Sequence, residues 1–95
     1  MPFPQQERIP FAKAGVGVLN PNQTGCYGIF DASGTPVYIG KGDIRDRLLA
    51  HVNGDNPCIL RCKPSYCLTV LANPPEATEK KLIAEYDPIC NRRIG

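Results

Sequence analysis

The sequence predicts a small mixed α/β fold of the α+β class: a small central antiparallel three-stranded sheet flanked by helices, in the order β-β-α-(irregular or short helix)-β-α. Three features of the chain point there. Two short strand-like runs, residues 26–30 and 36–40, flank a turn cluster at Asp31-Ala32-Ser33-Gly34. Ile44, Leu48 and Val52 then follow at helical spacing. A third strand-like run at 65–71 precedes a second segment of helical period.

Taken in order, residues 1–24 form an expected N-terminal extended arm that packs on a domain of residues 25–95. Pro2, Pro4 and Pro10 disfavour regular structure there, Val16, Val18 and Leu19 suit a short extended piece, and the start is expected to fray. In the first strand Tyr27 and Ile29 alternate with Cys26, Gly28 and Phe30, as in a half-buried strand. The run Pro36-Val37-Tyr38-Ile39-Gly40 returns against it as an antiparallel hairpin. Asp43 is a good N-cap for the next helix, Asp46 suits its first turn, and Asn53-Gly54 suits its end. Arg47 and His51, at i and i+4, project side by side next to the apolar stripe. Asn56-Pro57 begins a short helical turn through Cys58 to Cys62, which Lys63-Pro64 ends. Asn73-Pro74-Pro75 opens the last helix, on which Glu79, Leu82, Ile83 and Tyr86 share a face, and Asp87-Pro88 stops it. An acid on the buried stripe of a helix is unusual, and Glu79 is such an acid.

Composition narrows the class. The chain of 95 residues is long enough for one domain, its hydrophobic content of 42% and charged content of 21% are those of a soluble globular protein, and no apolar run suits a bilayer span. The opening residues lack the apolar core of a signal peptide, so the expected compartment is the cytoplasm. A formal net charge of +2 permits nucleic-acid binding without arguing for it. The five cysteines, odd in number and without an export signal, argue against a disulfide framework. Cys58, Cys62 and Cys67 cluster, but their spacing is wrong for the common structural zinc sites, so free thiols acting as small hydrophobes are expected. A zinc-stabilised interaction protein built on that cluster stays open as a rival.

Gly25-Cys26-Tyr27 and Tyr38-Ile39-Gly40, about ten residues apart, resemble the two signatures of GIY-YIG nuclease domains. The resemblance continues in order through Lys41, through Arg47 and His51 on the next helix, through Glu79 on the later one, and to Asn91. The ending resembles the E-x-x-L-I-x-x-Y-x-P-x-x-N pattern of the excision-repair members, so residues 25–91 are covered. One departure is Cys26, where Ile or Val is usual, and it points away from Tyr27 along the strand.

The resemblance implies a Mg²⁺-dependent endonuclease that hydrolyses DNA phosphodiester bonds with one divalent cation, Mg²⁺ or Mn²⁺. In that reading Tyr27 or Tyr38 acts on the attacking water, while Lys41 and Arg47 supply the cationic field that a phenol of pKa near 10 needs. Arg47 also holds the scissile phosphate, His51 relays a proton or orients the water, Glu79 holds the cation and Asn91 braces the site. Gly40, Lys41, Arg45, Arg47, Arg61 and Lys63 are the expected nucleic-acid contacts, with Lys13, Lys80, Arg92 and Arg93 as further cations for a phosphate-binding groove. Taken singly, each has a plainer reading: packing tyrosines, solvated cations, a structural histidine, a surface acid, a capping asparagine. The set in order favours the site. The implied partner is DNA, with a targeting protein as a possible second partner and no membrane; a catalytically weak or inactive nucleic-acid-binding module of the same fold is the alternative.

Overall fold

The protein, described here by a computed structural model, is defined at residue 3 and over residues 7–91. Its hairpin forms where the turn residues concentrate. The Asp31 carboxylate accepts hydrogen bonds from the Ser33 and Thr35 N–H groups, both at 2.9 Å, and from the Ser33 hydroxyl at 2.8 Å. Gly34 takes the left-handed conformation that closes the turn, φ +89°. The turn joins β2 (Thr24–Asp31) to β3 (Pro36–Asp43) in antiparallel register, with Tyr27 opposite Gly40 and Ile29 opposite Tyr38.

The sheet has four strands rather than three. A two-residue strand, β1 (Ile9–Pro10), pairs with β4 (Pro64–Leu71), and the order across the sheet is β1-β4-β2-β3. Sequence pattern misses β1 because two residues show no period, and a proline is tolerated there only because the strand lies at the edge. The expected extended piece at 16–19 is also corrected. Residues Lys13–Gly17 form a helical turn, α1, that buries Val16 completely. Gly15 lets this turn sit on β1, since a Cβ there would collide with the Pro10 carbonyl. The start of the arm at residues 1, 2 and 4–6, with Pro2 and Pro4, lies outside the described residues.

The alternation read in residues 26–30 suggests a half-buried strand, yet β2 is buried from Gly25 to Phe30. It is a central strand covered on both faces, and its small and apolar residues serve two cores. On one face Tyr27, Ile29 and Val37 pack with Val16, with Ile44 and Leu48 of α2 (Ile44–Val52), and with Ile59 of α3 (Pro57–Arg61). On the other, Cys26, Phe30, Ile39 and Tyr66 pack with Phe3 and with Leu82 of α4 (Glu76–Tyr86). Cys26 therefore points away from Tyr27, as expected. Its thiol donates to the Pro75 carbonyl at 3.4 Å, and burial, ahead of the nearby Glu79 charge, pushes it up to about 11.

Asp87 ends α4 in a left-handed conformation, φ 48°, and Ile89–Asn91 form a 3-10 turn against β3. That turn corrects the expectation for the cysteines. Cys58 on α3 and Cys90 on the 3-10 turn form a disulfide across 32 residues of sequence, leaving Cys26, Cys62 and Cys67 as thiols. Cys67 is buried in the core and does not join Cys58 and Cys62; the chain's return at Cys90 does. Counting cysteines could not find this, because the fold chooses the partner.

Packing at Gly40 gives a first test. A Cβ there would strike the Tyr27 ring, whereas nothing lies within 4 Å of one built at Gly17. Gly40→Ala is expected to lose about 1–3 kcal/mol in urea unfolding, as overpacked sites do. Gly17→Ala is expected to change stability by less than about 1 kcal/mol, the scale of helix propensity.

Candidate active site

Tyr27 and Tyr38 lie on neighbouring strands with their rings 6.3 Å apart, both turned toward α2. Gly40 carries no side chain, so the Tyr27 ring crosses β3 and its hydroxyl comes within 2.7 Å of His51 Nε2. His51 is placed by a well-terminated helix. The Asp43 carboxylate caps the start of α2 by accepting from the Asp46 N–H at 3.2 Å, as its spacing predicts. Ile44 and Leu48 fix the buried face, and one turn further His51 is only 1% exposed.

The other nitrogen, His51 Nδ1, lies 2.7 Å from Asp55 Oδ1. Asp55 belongs to no part of the sequence-derived set. The helix end delivers it: Gly54 turns left-handed at φ +91°, its N–H donates to the His51 carbonyl, and the Asp55 N–H reaches back to Ala50 O at 3.2 Å. This is a Schellman cap, which folds the residue after the glycine onto the last turn. The Asn53-Gly54 signal in the sequence thus also marked Asp55, four residues beyond the only histidine. Asp55 Oδ2 stands 3.6 Å from Arg47 Nη2, which ties the arginine to the same group.

The protonation pattern follows. An ionised Asp55 accepts from Nδ1–H, which leaves Nε2 an acceptor for the Tyr27 hydroxyl. Burial lowers the His51 pKa below its ordinary 6.5 and outweighs the opposing hydrogen bond from Asp55. The Tyr27 hydroxyl is pushed up, first by burial and then by Tyr38, with Arg47 opposing. A standing tyrosinate is therefore disfavoured, and a neutral Tyr27–His51 pair, anchored on the Asp55 carboxylate, is poised to move a proton.

Across the outer edge of β3, Lys41 Nζ donates to Glu79 Oε1 at 3.1 Å. The side chains are 40% and 21% exposed, so the pair is wet and contributes little to stability. Among the described residues the partner of Glu79 is Lys41; Arg92 and Arg93 lie outside them. Tyr38 links the two halves: its ring is 5.1 Å from that of His51, and Glu79 is, after burial, the main cause raising its pKa. Glu79 belongs to no group of three or more ligands among the described residues. A single carboxylate with one oxygen on a displaceable lysine fits a hydrated divalent ion such as Mg²⁺, which keeps most of its waters.

Asn91 braces the edge. Its side-chain oxygen accepts from Ile39 N–H at 2.7 Å and its amide donates to Ile39 O at 2.9 Å, occupying the free edge of β3 between Tyr38 and Gly40. The fold thus brings together Tyr27, Tyr38, Lys41, Arg47, His51 and Glu79, with Gly40 as the gap that admits Tyr27. Arg61 and Lys63, exposed on and after α3, make no bond to this group, and Arg45 lies two residues from Arg47 on another side of α2.

The relay has a spectroscopic consequence. Because burial disfavours the imidazolium, His51 contributes stability above pH 6.5 that is lost as the pH falls through its lowered folded value. ¹⁵N NMR of His51 is expected to show the Nδ1–H tautomer at pH 7 and an apparent pKa below 6.5. Asp55→Asn is expected to lower that pKa further, since the Asp55 charge is what opposes burial. An Nε2–H tautomer contradicts this chain.

No family model matches the sequence, and no curated protein is recognisably similar to it. Solved structures are similar. The GIY-YIG N-terminal endonuclease domain of UvrC from Thermotoga maritima, bound to magnesium as its catalytic divalent cation, superposes with a TM-score of 0.64 at 26% identity over 76% of this chain and 86% of that one. Two point-mutant forms of that domain, each bound to its catalytic divalent cation, give TM-scores of 0.68 and 0.66 at 26% and 29% identity, over 80% of this chain and 90% of theirs. With both signature strands paired in register, and with this fold shared over most of its length, the chain is a GIY-YIG nuclease superfamily domain.

Proposed function

We propose that this chain is a divalent-cation-dependent DNA endonuclease that hydrolyses phosphodiester bonds at the outer edge of β3. One observation carries the reading: Tyr38 has on one hand a Tyr27–His51–Asp55 proton chain at 2.7 Å spacings, buried at Tyr27 and His51, and on the other the charge of a water-accessible carboxylate, Glu79. Phosphodiester hydrolysis needs those two functions, removal of a proton from water and neutralisation of phosphate charge.

In this mechanism Tyr27 takes the proton of the attacking water while its own proton passes to His51 Nε2. No tyrosinate accumulates, in keeping with its raised pKa. Asp55, hydrogen-bonded to Nδ1, stabilises the imidazolium that forms. Arg47 stays cationic and presents its planar fork to the phosphate oxygens. Glu79 would hold the cation, Mg²⁺ or Mn²⁺, which when bound supplies Lewis-acid neutralisation of the developing charge. Lys41, held by Glu79 in this structure, would present its ammonium to a phosphate oxygen. Tyr38 orders the water between the two halves, and Asn91 is a positioning residue that keeps β3 straight behind it. The cation-bound UvrC domains, 26% to 29% identical, support a divalent ion and a nucleic-acid substrate. Lys13, Arg45, Arg61, Lys63 and Lys80 are solvent-facing or partly so, and serve as secondary phosphate contacts.

Nicking of supercoiled plasmid tests the reading. Wild type is expected to nick with Mg²⁺ and not with EDTA. Tyr27→Phe and Glu79→Ala should each slow nicking by at least about 10²-fold, the scale of a lost general base or metal ligand. The rate should rise with pH through the lowered His51 pKa, because only the neutral imidazole accepts a proton. DNA bound without metal-dependent cleavage by folded wild type would instead make the chain a nucleic-acid-binding module.

A further inference from the structure

Three sulfur atoms lie together away from the catalytic edge. Cys58 on α3 and Cys62 at its C-cap stand at i and i+4, and Cys90 reaches them from the 3-10 turn at Ile89–Asn91. All three sulfurs fall within 4.8 Å of one another, and the three residues are half-buried, so solvent and ions reach them. We propose that Cys58, Cys62 and Cys90, when reduced, form a binding site for one Zn²⁺ ion.

The chemistry and the spacing agree. Thiolates are soft donors and select zinc over the hard Mg²⁺ that suits Glu79. A tetrahedral ion with Zn–S bonds of about 2.3 Å holds its thiolates about 3.8 Å apart. Cys62 Sγ is 3.9 Å from Cys90 Sγ, already at that separation. Cys58 and Cys90, drawn together as a disulfide, complete the triangle once that bond is opened. A dithiol reductant supplies the two electrons and two protons that convert the disulfide to two thiols. Zinc then displaces the three thiol protons, and water takes the fourth position. Spacing alone did not suggest this because the third ligand lies 28 residues beyond Cys62.

The site also has work to do in the fold. Helix α3 has five residues and buries only Ile59, and the three-residue 3-10 turn buries none. Neither segment is long enough to hold itself by helix propensity. Yet the turn must stay in place, because Asn91, next to Cys90, makes both bonds to the Ile39 backbone. A zinc ion bridging α3 to the turn fixes Asn91 under reducing conditions, as the disulfide does under oxidising ones.

Reduced, chelator-treated protein should take up one zinc per chain, read by native mass spectrometry. With Co²⁺ alone as the probe it should develop sulfur-to-cobalt charge-transfer absorption. Cys62→Ser, which can still fold with the Cys58–Cys90 disulfide before it is reduced, should lose both signals once reduced, and so should Cys90→Ser. Glu79→Ala and Cys26→Ser should keep them, which separates this site from a cation held at the catalytic edge. The oxidised wild type should bind no zinc. Failure of the folded, reduced protein to take up zinc overturns the proposal, as does undiminished uptake by Cys62→Ser or by the oxidised form.

Discussion

The contact on which this molecule depends is the one between Tyr27 and the bare backbone of Gly40. It is a register pair in the hairpin, so it is set as soon as the strands zip. The missing side chain lets the phenol ring lie across the edge strand and meet a helix instead of turning into solvent. The hydrogen bond to His51 then joins strand β2 to helix α2 at the point where the core around Ile29, Leu48 and Ile59 closes. Packing and chemistry are not separable here. The burial that makes Tyr27 a core residue is also what keeps its hydroxyl protonated and directs its proton toward His51.

Charge is distributed unevenly around that point. The proton chain is buried and neutral at one end, with its only formal charges at Asp55 and Arg47 near the surface. The Lys41–Glu79 pair is open to water. In a dry pocket an ion pair of this kind would be hard to separate; exposed, it opens at little cost. The half-buried ring of Tyr38 touches His51 on the dry side and feels the Glu79 charge of the wet one. In the mechanism we propose, that division separates preparing a nucleophile from neutralising charge.

The third support is remote from both tyrosines in sequence. Asn91 occupies the hydrogen-bonding edge of β3, and through Cys90 its turn is tied to α3. An edge strand that carries two site residues needs such a brace, since unpaired N–H and C=O groups otherwise invite slippage or intermolecular pairing. The cysteine cluster is thereby connected to the geometry of the catalytic edge without touching it.

Much of this was legible in the chain. The hairpin, the capped helix after it, the short helical turn, the strand at 64–71 and the last helix rest on local signals: turn residues, caps and apolar period. The same signals placed Tyr27, Tyr38, Lys41, Arg47, His51 and Glu79 on their strands and helices, and it was the resemblance to GIY-YIG domains that singled them out together with Asn91. Other features had no local signature. The two-residue β1 has no period of its own, and α1 is a single turn of small residues whose conformation is set by what it packs on. Both faces of β2 are buried because α4 returns over the second one, which alternation within the strand cannot report. Asp55 becomes part of the site because a helix cap folds it back, and Cys90 replaces Cys67 in the thiol cluster because the chain end returns to α3. By itself the sequence determined the elements and the residues they carry, since those depend on neighbours along the chain. Only the tertiary structure decided who pairs with whom, because proximity across the sheet and between chain-distant turns is a property of the packed whole.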